Sequence, residues 1–139
     1  MSLFNVFDIS GSAMSAQSVR LNTTASNLAN ADSVSSSIDE TYRARKPVFA
    51  ADLDKALSDR QESVGVKIMG IVETDKPLQK EFHPDHPMAD AEGFIYKPNV
   101  NVVEEMTDML SASRNYQTNV QVADAAKQML QQTLRLGKG

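Results

Sequence analysis

Two clusters in this chain carry side chains able to hold a metal or move a proton. His83 and His86 stand with Asp85 and Asp90 in Phe82-His83-Pro84-Asp85-His86-Pro87-Met88-Ala89-Asp90. Imidazole and carboxylate together suit zinc or iron. Histidines at that spacing reach one ion only on a helix or tight turn, and Pro84 and Pro87 forbid a regular helix. The segment reads as a proline-stiffened loop with solvated His and Asp, and no metal ligand or cofactor is assigned to it. Glu104, Glu105 and Asp108 form the second cluster. Paired acids are the equipment of glycoside hydrolysis, which would make a wall-cutting enzyme. Acids in the first turn of a helix are also favoured there by its dipole alone. That reading is adopted, and no catalytic residue is assigned. Arg43, Arg45 and Lys46 could meet phosphate or an acidic partner, but three cations in an acidic chain read as a solvated strand face.

The acids head a long amphipathic stretch, and a second such stretch opens the chain. Phe7, Met14, Leu21 and Leu28 recur every seven residues, with Phe4, Gly11, Ser18 and Ala25 on the adjacent stripe. Near the other end Val102, Met109, Tyr116, Ala123 and Leu130 repeat the spacing, interleaved with Met106, Ser113, Val120, Lys127 and Leu134. A seven-residue repeat keeps side chains on one slowly drifting helix face, a seam suited to a partner helix. Each end is expected to pair first with the other.

The first helix is expected from Asn5 or Asp8, both competent caps, to about Asn30, which can end a helix. The last has Pro98 behind it, Asn101 as cap and Glu104 three residues on, as in a capping box, and runs to about Leu136 with Gly137 as a stop. Between them, Ser33-Val34-Ser35-Ser36-Ser37 reads as loop, Thr41 to Phe49 as a short strand and Ala50 to Arg60 as a short helix. Val64, Val66 and Ile68 alternate with Gly65 and Lys67 until Gly70, so this is a strand with a bulge or bend. Phe94-Ile95-Tyr96 is a further strand. The expected fold class is α+β: long N- and C-terminal helices pairing as a coiled-coil-like bundle (1–30 with 98–139), and a small β-rich outer module (31–97).

Charge sharpens this division. The net charge is -4 over 139 residues, which argues against a nucleic-acid partner, since phosphate neutralisation needs a basic surface. Residues 1–30 hold only Asp8 and Arg20, which cancel, and residues 98–139 balance four acids against four bases. The imbalance therefore lies in the middle. Instead of charge, the first 30 residues use Ser, Thr, Asn and Gln, which can be enclosed between subunits at far lower cost than an unpaired ion. The alternative is a monomeric helical hairpin with a Ser-rich outer face. Cysteine is absent, which excludes disulfides and thiolate chemistry. No apolar run approaches the roughly 20 residues that span a bilayer, and the N-terminus reads as neither signal peptide nor anchor.

Ser26-Asn27-Leu28-Ala29-Asn30-Ala31-Asp32-Ser33 resembles the N-terminal signature of the flagellar rod and hook axial proteins. Pro98-Asn99-Val100-Asn101-Val102-Val103-Glu104-Glu105-Met106 and Ala112-Ser113-Arg114-Asn115-Tyr116-Gln117-Thr118-Asn119-Val120 resemble the C-terminal signature. The chain departs from the pattern at Ser26, Ser33 and Thr41, where the family often has Asn, Thr and Gly. The resemblance implies a structural subunit of the flagellar basal-body rod, in its proximal part. It also implies export through the flagellar export apparatus without a cleavable signal, and polymerisation in the periplasm with itself and other rod proteins into a hollow, torque-bearing shaft. No catalysis, nucleic acid or membrane insertion is implied. The expected assembly interface comprises Phe7, Met14, Leu21, Asn27, Leu28, Asn30, Met106, Met109, Arg114, Tyr116, Asn119, Val120, Ala123, Leu130 and Leu134. The rival readings are a peptidoglycan hydrolase and a helical adaptor or chaperone for flagellar assembly.

Overall fold

A computed structural model describes residues 3–53 and 64–137. Its elements run α1 (Leu3–Ala29), β1 (Arg45–Ala51), β2 (Val66–Glu73), β3 (Gln79–Phe82), β4 (Phe94–Lys97) and α2 (Val102–Leu136). The α+β class stands: two long terminal helices flank two small antiparallel sheets, β1–β2 and β3–β4. Among the described residues, no helix is long and apolar enough to cross a membrane.

α1 is rich in residues that ordinarily weaken helices, and the helix itself satisfies them. Ser12 Oγ donates to Ile9 O and Thr23 Oγ1 to Val19 O, both at 2.9 Å. These back-bonds let neutral polar side chains lie inside without losing a partner. The helix starts at Leu3, ahead of the expected caps, and ends at Ala29. There the Asn30 side chain donates to Ser26 O at 2.8 Å, satisfying a terminal carbonyl that would otherwise be left open.

α2 begins where its cap requires: Asn101 Oδ1 accepts from the backbone N–H of Val103 (3.1 Å) and Glu104 (3.3 Å). The reciprocal half of the expected capping box is replaced, because Lys46 and Lys76 draw the Glu104 carboxylate outward. Gly137 ends the helix in the right-handed conformation, its N–H bonded to Thr133 O.

The helices are antiparallel: Asn27 meets Glu105, and Arg20, one turn pair earlier, meets Asp108 further along α2. Ala16, Ala112 and Ala126 are among the most deeply buried apolar residues; methyl-sized side chains let the two backbones approach closely. α2 has 35 residues and α1 has 27. From the Asn27–Glu105 level α1 extends back about 36 Å at 1.5 Å per residue, reaching roughly the level of Met129. The last turns of α2 project beyond it, and residues 131–137 are exposed.

The β1–β2 hairpin lies along α1. Val66 N donates to Ser12 Oγ at 3.1 Å. Gly65 passes so near that a Cβ there would sit 2.6 Å from that hydroxyl. Val48 pairs with Gly70 and Phe49 with Ile68, so Met69 is the extra residue of a bulge beside Gly70, whose φ is 156°. The interruption expected at Gly70 is this bulge.

The strand expected over 41–49 starts only at Arg45, because Thr41 and Tyr42 are held by Ser37 O and Asn27 instead of a ladder. Ala50 and Ala51, expected to open a helix, belong to β1. Most of the rest of that segment lies outside the described residues. β3 carried no sequence signal: Gln79, Lys80 and Phe82 are exposed, so no apolar alternation marks it. It pairs with β4, and Ser35 adds a bridge to Tyr96 on the other side.

Candidate assembly surface

Asn27 is fully buried and joins three elements. Its Oδ1 accepts from Tyr42 OH (2.8 Å) and Arg45 N (2.9 Å). Its Nδ2 donates to Arg45 O (2.8 Å) and Glu105 Oε2 (3.0 Å). A primary amide has two donors and two acceptor sites, and here each is used. Asn99 does the same work one layer away: Oδ1 accepts from Ala44 N (2.8 Å), while Nδ2 donates to Thr74 O (3.1 Å) and Lys76 O (2.7 Å). The two asparagines fix the start of the hairpin against both helices.

The acids of α2 are absorbed into this junction. Arg20 donates to Asp108 at 2.6 Å, and Lys46 reaches Glu104 at 2.7 Å and Asp108 at 3.7 Å. Lys76 lies 3.3 Å from Glu104. The hydrogen bond from Lys46, with Lys76 behind it, holds the Glu104 carboxyl below its usual range. The same bond raises Lys46 against the desolvation that would lower it. Glu105 turns inward to Asn27. All three carboxylates thus have structural partners, and so does Arg45, which meets Glu73 at 3.4 Å.

The histidine loop is organised by its backbone. His86 Nδ1 accepts from Met88 N at 3.0 Å, and His83 Nε2 lies 3.0 Å from Glu81, which also meets Lys97. Asp90 accepts from the backbone N–H of Phe94 and Glu92, and the Phe94 bond leads in holding its carboxyl below the usual range. Among the described residues, no group of three or more His, Asp or Glu side chains is disposed to hold a metal ion.

The fifteen expected interface residues divide. Asn27 is buried; Phe7, Met14, Leu21, Leu28, Asn30, Met109, Asn119, Ala123 and Leu130 are half-buried; Met106, Arg114, Tyr116, Val120 and Leu134 are exposed. The centre of the buried α1 face falls on Ala16, Thr23, Thr24 and Asn27, because α1 is packed between α2 and the hairpin and its buried sector lies between the two contacts. The stripe of Phe4, Gly11, Ser18 and Ala25 points away from both. Val103, Leu110, Val122, Met129 and Leu136, which the expected interface does not include, are further exposed apolar residues of α2. Their spacing along α2 was the available signal, hidden by the more regular heptads beside it. Gln17 Oε1 is a buried oxygen that accepts no hydrogen bond among the described residues.

Residues 7–35 match a family profile described as flagella basal body rod protein. Residues 91–136 match one described as flagellar basal body rod FlgEFG protein C-terminal. The chain is 46% identical over 138 residues to the flagellar basal-body rod protein FlgC of Salmonella typhimurium, covering 99% of this chain and 100% of that one. It is 47% identical over 138 residues to the protein of that name from Yersinia enterocolitica, with the same coverage. For the protein of that name from Buchnera aphidicola subsp. Acyrthosiphon pisum it is 41% identical over 140 residues, 99% of this chain and 100% of that one.

Proposed function

The chain belongs to the flagellar basal-body rod protein family and is a structural subunit of that rod; we propose that it polymerises there through its two terminal helices. The observation that carries this reading is the unequal finish of the helix pair. The α1–α2 seam is closed with small residues, whereas α2 turns large apolar side chains outward, Val103 at 74% exposure and Met106 at 59%. Apolar surface of that kind on a helix marks a contact with other chains. In this reading α1 and α2 (1–30 with 98–139) form the axial unit around an export channel, and 31–97 makes the smaller outward module. The subunit is exported by the flagellar apparatus, joins the proximal part of the rod in the periplasm beside other rod proteins, and transmits torque without catalysing a reaction.

The acid cluster supports the non-enzymatic reading, since Glu104, Glu105 and Asp108 are each committed to Lys46, Asn27 or Arg20. The test is isolation of hook-basal bodies from strains carrying Leu28→Asp or Met109→Asp, with export followed separately. A carboxylate beside half-buried apolar neighbours loses solvation without gaining a partner, and rods should be absent although the protein is exported. Normal rods from both variants would remove these helices from the assembly surface. Muropeptide release by the purified protein, lost with Glu104→Gln, would point to the hydrolase instead.

A further inference from the structure

The ladder of the β1–β2 hairpin leaves one of its outer sides closed and the other open. Arg45 turns its backbone N–H and C=O away from β2 to Asn27, so Arg45 and its partner Glu73 form a non-hydrogen-bonded pair. Alternation then makes Lys46–Val72 a bonded pair and Pro47–Ile71 a non-bonded one, which is where a residue without an N–H fits. Thr74 N on Ala44 O at one end and Val66 N on Ser12 Oγ at the other keep the same phase. The N–H and C=O of Ile71 and of Glu73 therefore point away from β1. The outer side of β1 is closed by Asn27 and Pro47; on β2, no partner among the described residues takes these groups, and Ile71 is 53% exposed. A groove of about 400 Å³ runs beside this edge, lined by Ile71, Glu73 and Arg45 of the hairpin and by Asn22, Thr23 and Ser26 of α1. The short side chains on the helix side leave room for a backbone.

We propose that this edge docks an extended segment of a different protein as a third, antiparallel strand, with a basic residue opposite Glu73 and an apolar residue two places later opposite Ile71. The pitch of the free groups singles out an extended chain. Ile71 and Glu73 repeat at about 6.8 Å, twice the rise of an antiparallel strand, whereas a helix keeps its backbone groups for itself. Glu73 meets Arg45 at 3.4 Å through Oε1, which leaves Oε2 for an incoming cation. Strand addition draws affinity from the main chain and selectivity from alternate side chains, and a ribbon of two strands gains stability from a third. A second copy is the poorer occupant: β3 has the required order, Lys80 then Phe82, but the Lys80 ammonium already lies 3.9 Å over the Phe94 ring. Docking here is independent of assembly through the helices.

The test uses the full chain, labelled for amide spectra, and an acetylated peptide of alternating threonine and valine with a lysine two residues before one valine. The peptide should move the Ile71 and Glu73 amide protons downfield and slow their exchange, while those of Lys46 and Val48, inside the ladder, stay in place. Glutamate in place of the lysine should weaken binding about fivefold, and Glu73→Lys should reverse that preference. Ile71→Pro should abolish binding with the Lys46 and Val48 amides unmoved. A peptide N-methylated along its pairing edge, which leaves the protein untouched, should not bind either. Binding that spares the Ile71 and Glu73 amides, equal binding of the N-methylated peptide, or no binding at about 1 mM peptide would overturn the proposal. Shifts of the same amides with protein concentration alone would give the edge to a second copy and overturn it too.

Discussion

Replacing Asn27 by Ala should be among the most damaging single changes in this protein, although it removes only a small polar group. Four hydrogen bonds disappear together, and their partners are unequally placed to recover. Tyr42 OH keeps Ser26 Oγ at 3.2 Å. The backbone N–H and C=O of Arg45 belong to an exposed residue that water can reach, a loss of about 0.5–1 kcal/mol each. Glu105 is 3% exposed, and loss of a hydrogen bond to a charged group costs about 1.5–3 kcal/mol. The total is about 3 kcal/mol. For a chain of this length each kcal/mol lowers Tm by about 3 °C, so Asn27→Ala should melt about 10 °C early by circular dichroism. Asn27→Asp should be worse, because it sets two carboxylates face to face where the amide now bridges 3.0 Å. Adding Glu105→Gln to Asn27→Asp restores a donor–acceptor pair with the direction reversed, and part of the loss should return. A shift below about 3 °C for Asn27→Ala, or no rescue in the double variant, would show that the junction does not depend on this amide.

Gly11 lies mid-helix with open space around it, so Gly11→Ala should raise monomer stability by about 0.5–1 kcal/mol in denaturant titrations; loss of rods alongside that gain would place the outward α1 stripe in a contact. Gly65→Ala should do the reverse, losing about 1 kcal/mol as the new methyl displaces the Ser12 hydroxyl from Val66 N. The Glu104 carboxyl is depressed when folded, so its contribution is present above the ordinary glutamate pKa of about 4.3 and lost as pH falls through the lower folded value; the raised Lys46 contributes below about 10.4 and loses it as pH rises further. Both are partly exposed, so Glu104→Gln should lower stability at pH 7 by less than about 1 kcal/mol and flatten the acid limb of a stability–pH curve. Replacing both His83 and His86 by Ala should leave motility intact and change stability by under about 0.5 kcal/mol; stoichiometric metal lost together with motility would refute it.

The helices were legible because their signals are local. Asn101 caps α2 as its position before an acidic turn implies, and the Gly70 interruption became a bulge. What the sequence concealed depends on tertiary partners. Glu104 occupies a capping-box position, yet Lys46 and Lys76 arrive from the middle segment and take its carboxylate; no periodicity within α2 contains that information. β3 was invisible because its residues face water and the strand exists only by pairing with β4. Asn27 was singled out through family resemblance, and only the structure explains the residue type: an amide alone supplies two donors and two acceptors at one buried point. The heptad stripe of α1 marked the right helix but missed the middle of its buried sector, since a helix held from two sides buries the residues between its contacts.

The unequal lengths of the helices have a mechanical consequence. The polar ties at Asn27, Asn99, Arg20 and Lys46 gather at one end of the helix pair, while the last turns of α2 extend past α1 into solvent. Under a sideways load the projecting turns behave as a cantilever, clamped where α1 ends near the level of Met129 and free at Leu136. The deflection of a cantilever grows as the cube of its unsupported length, so support placed near the tip stiffens it far more than an equal contact near the clamp. In a rotating shaft, a neighbour gripping the projecting turns would set the bending stiffness of the subunit, and loosening that grip would add compliance without disturbing the junction that holds the fold.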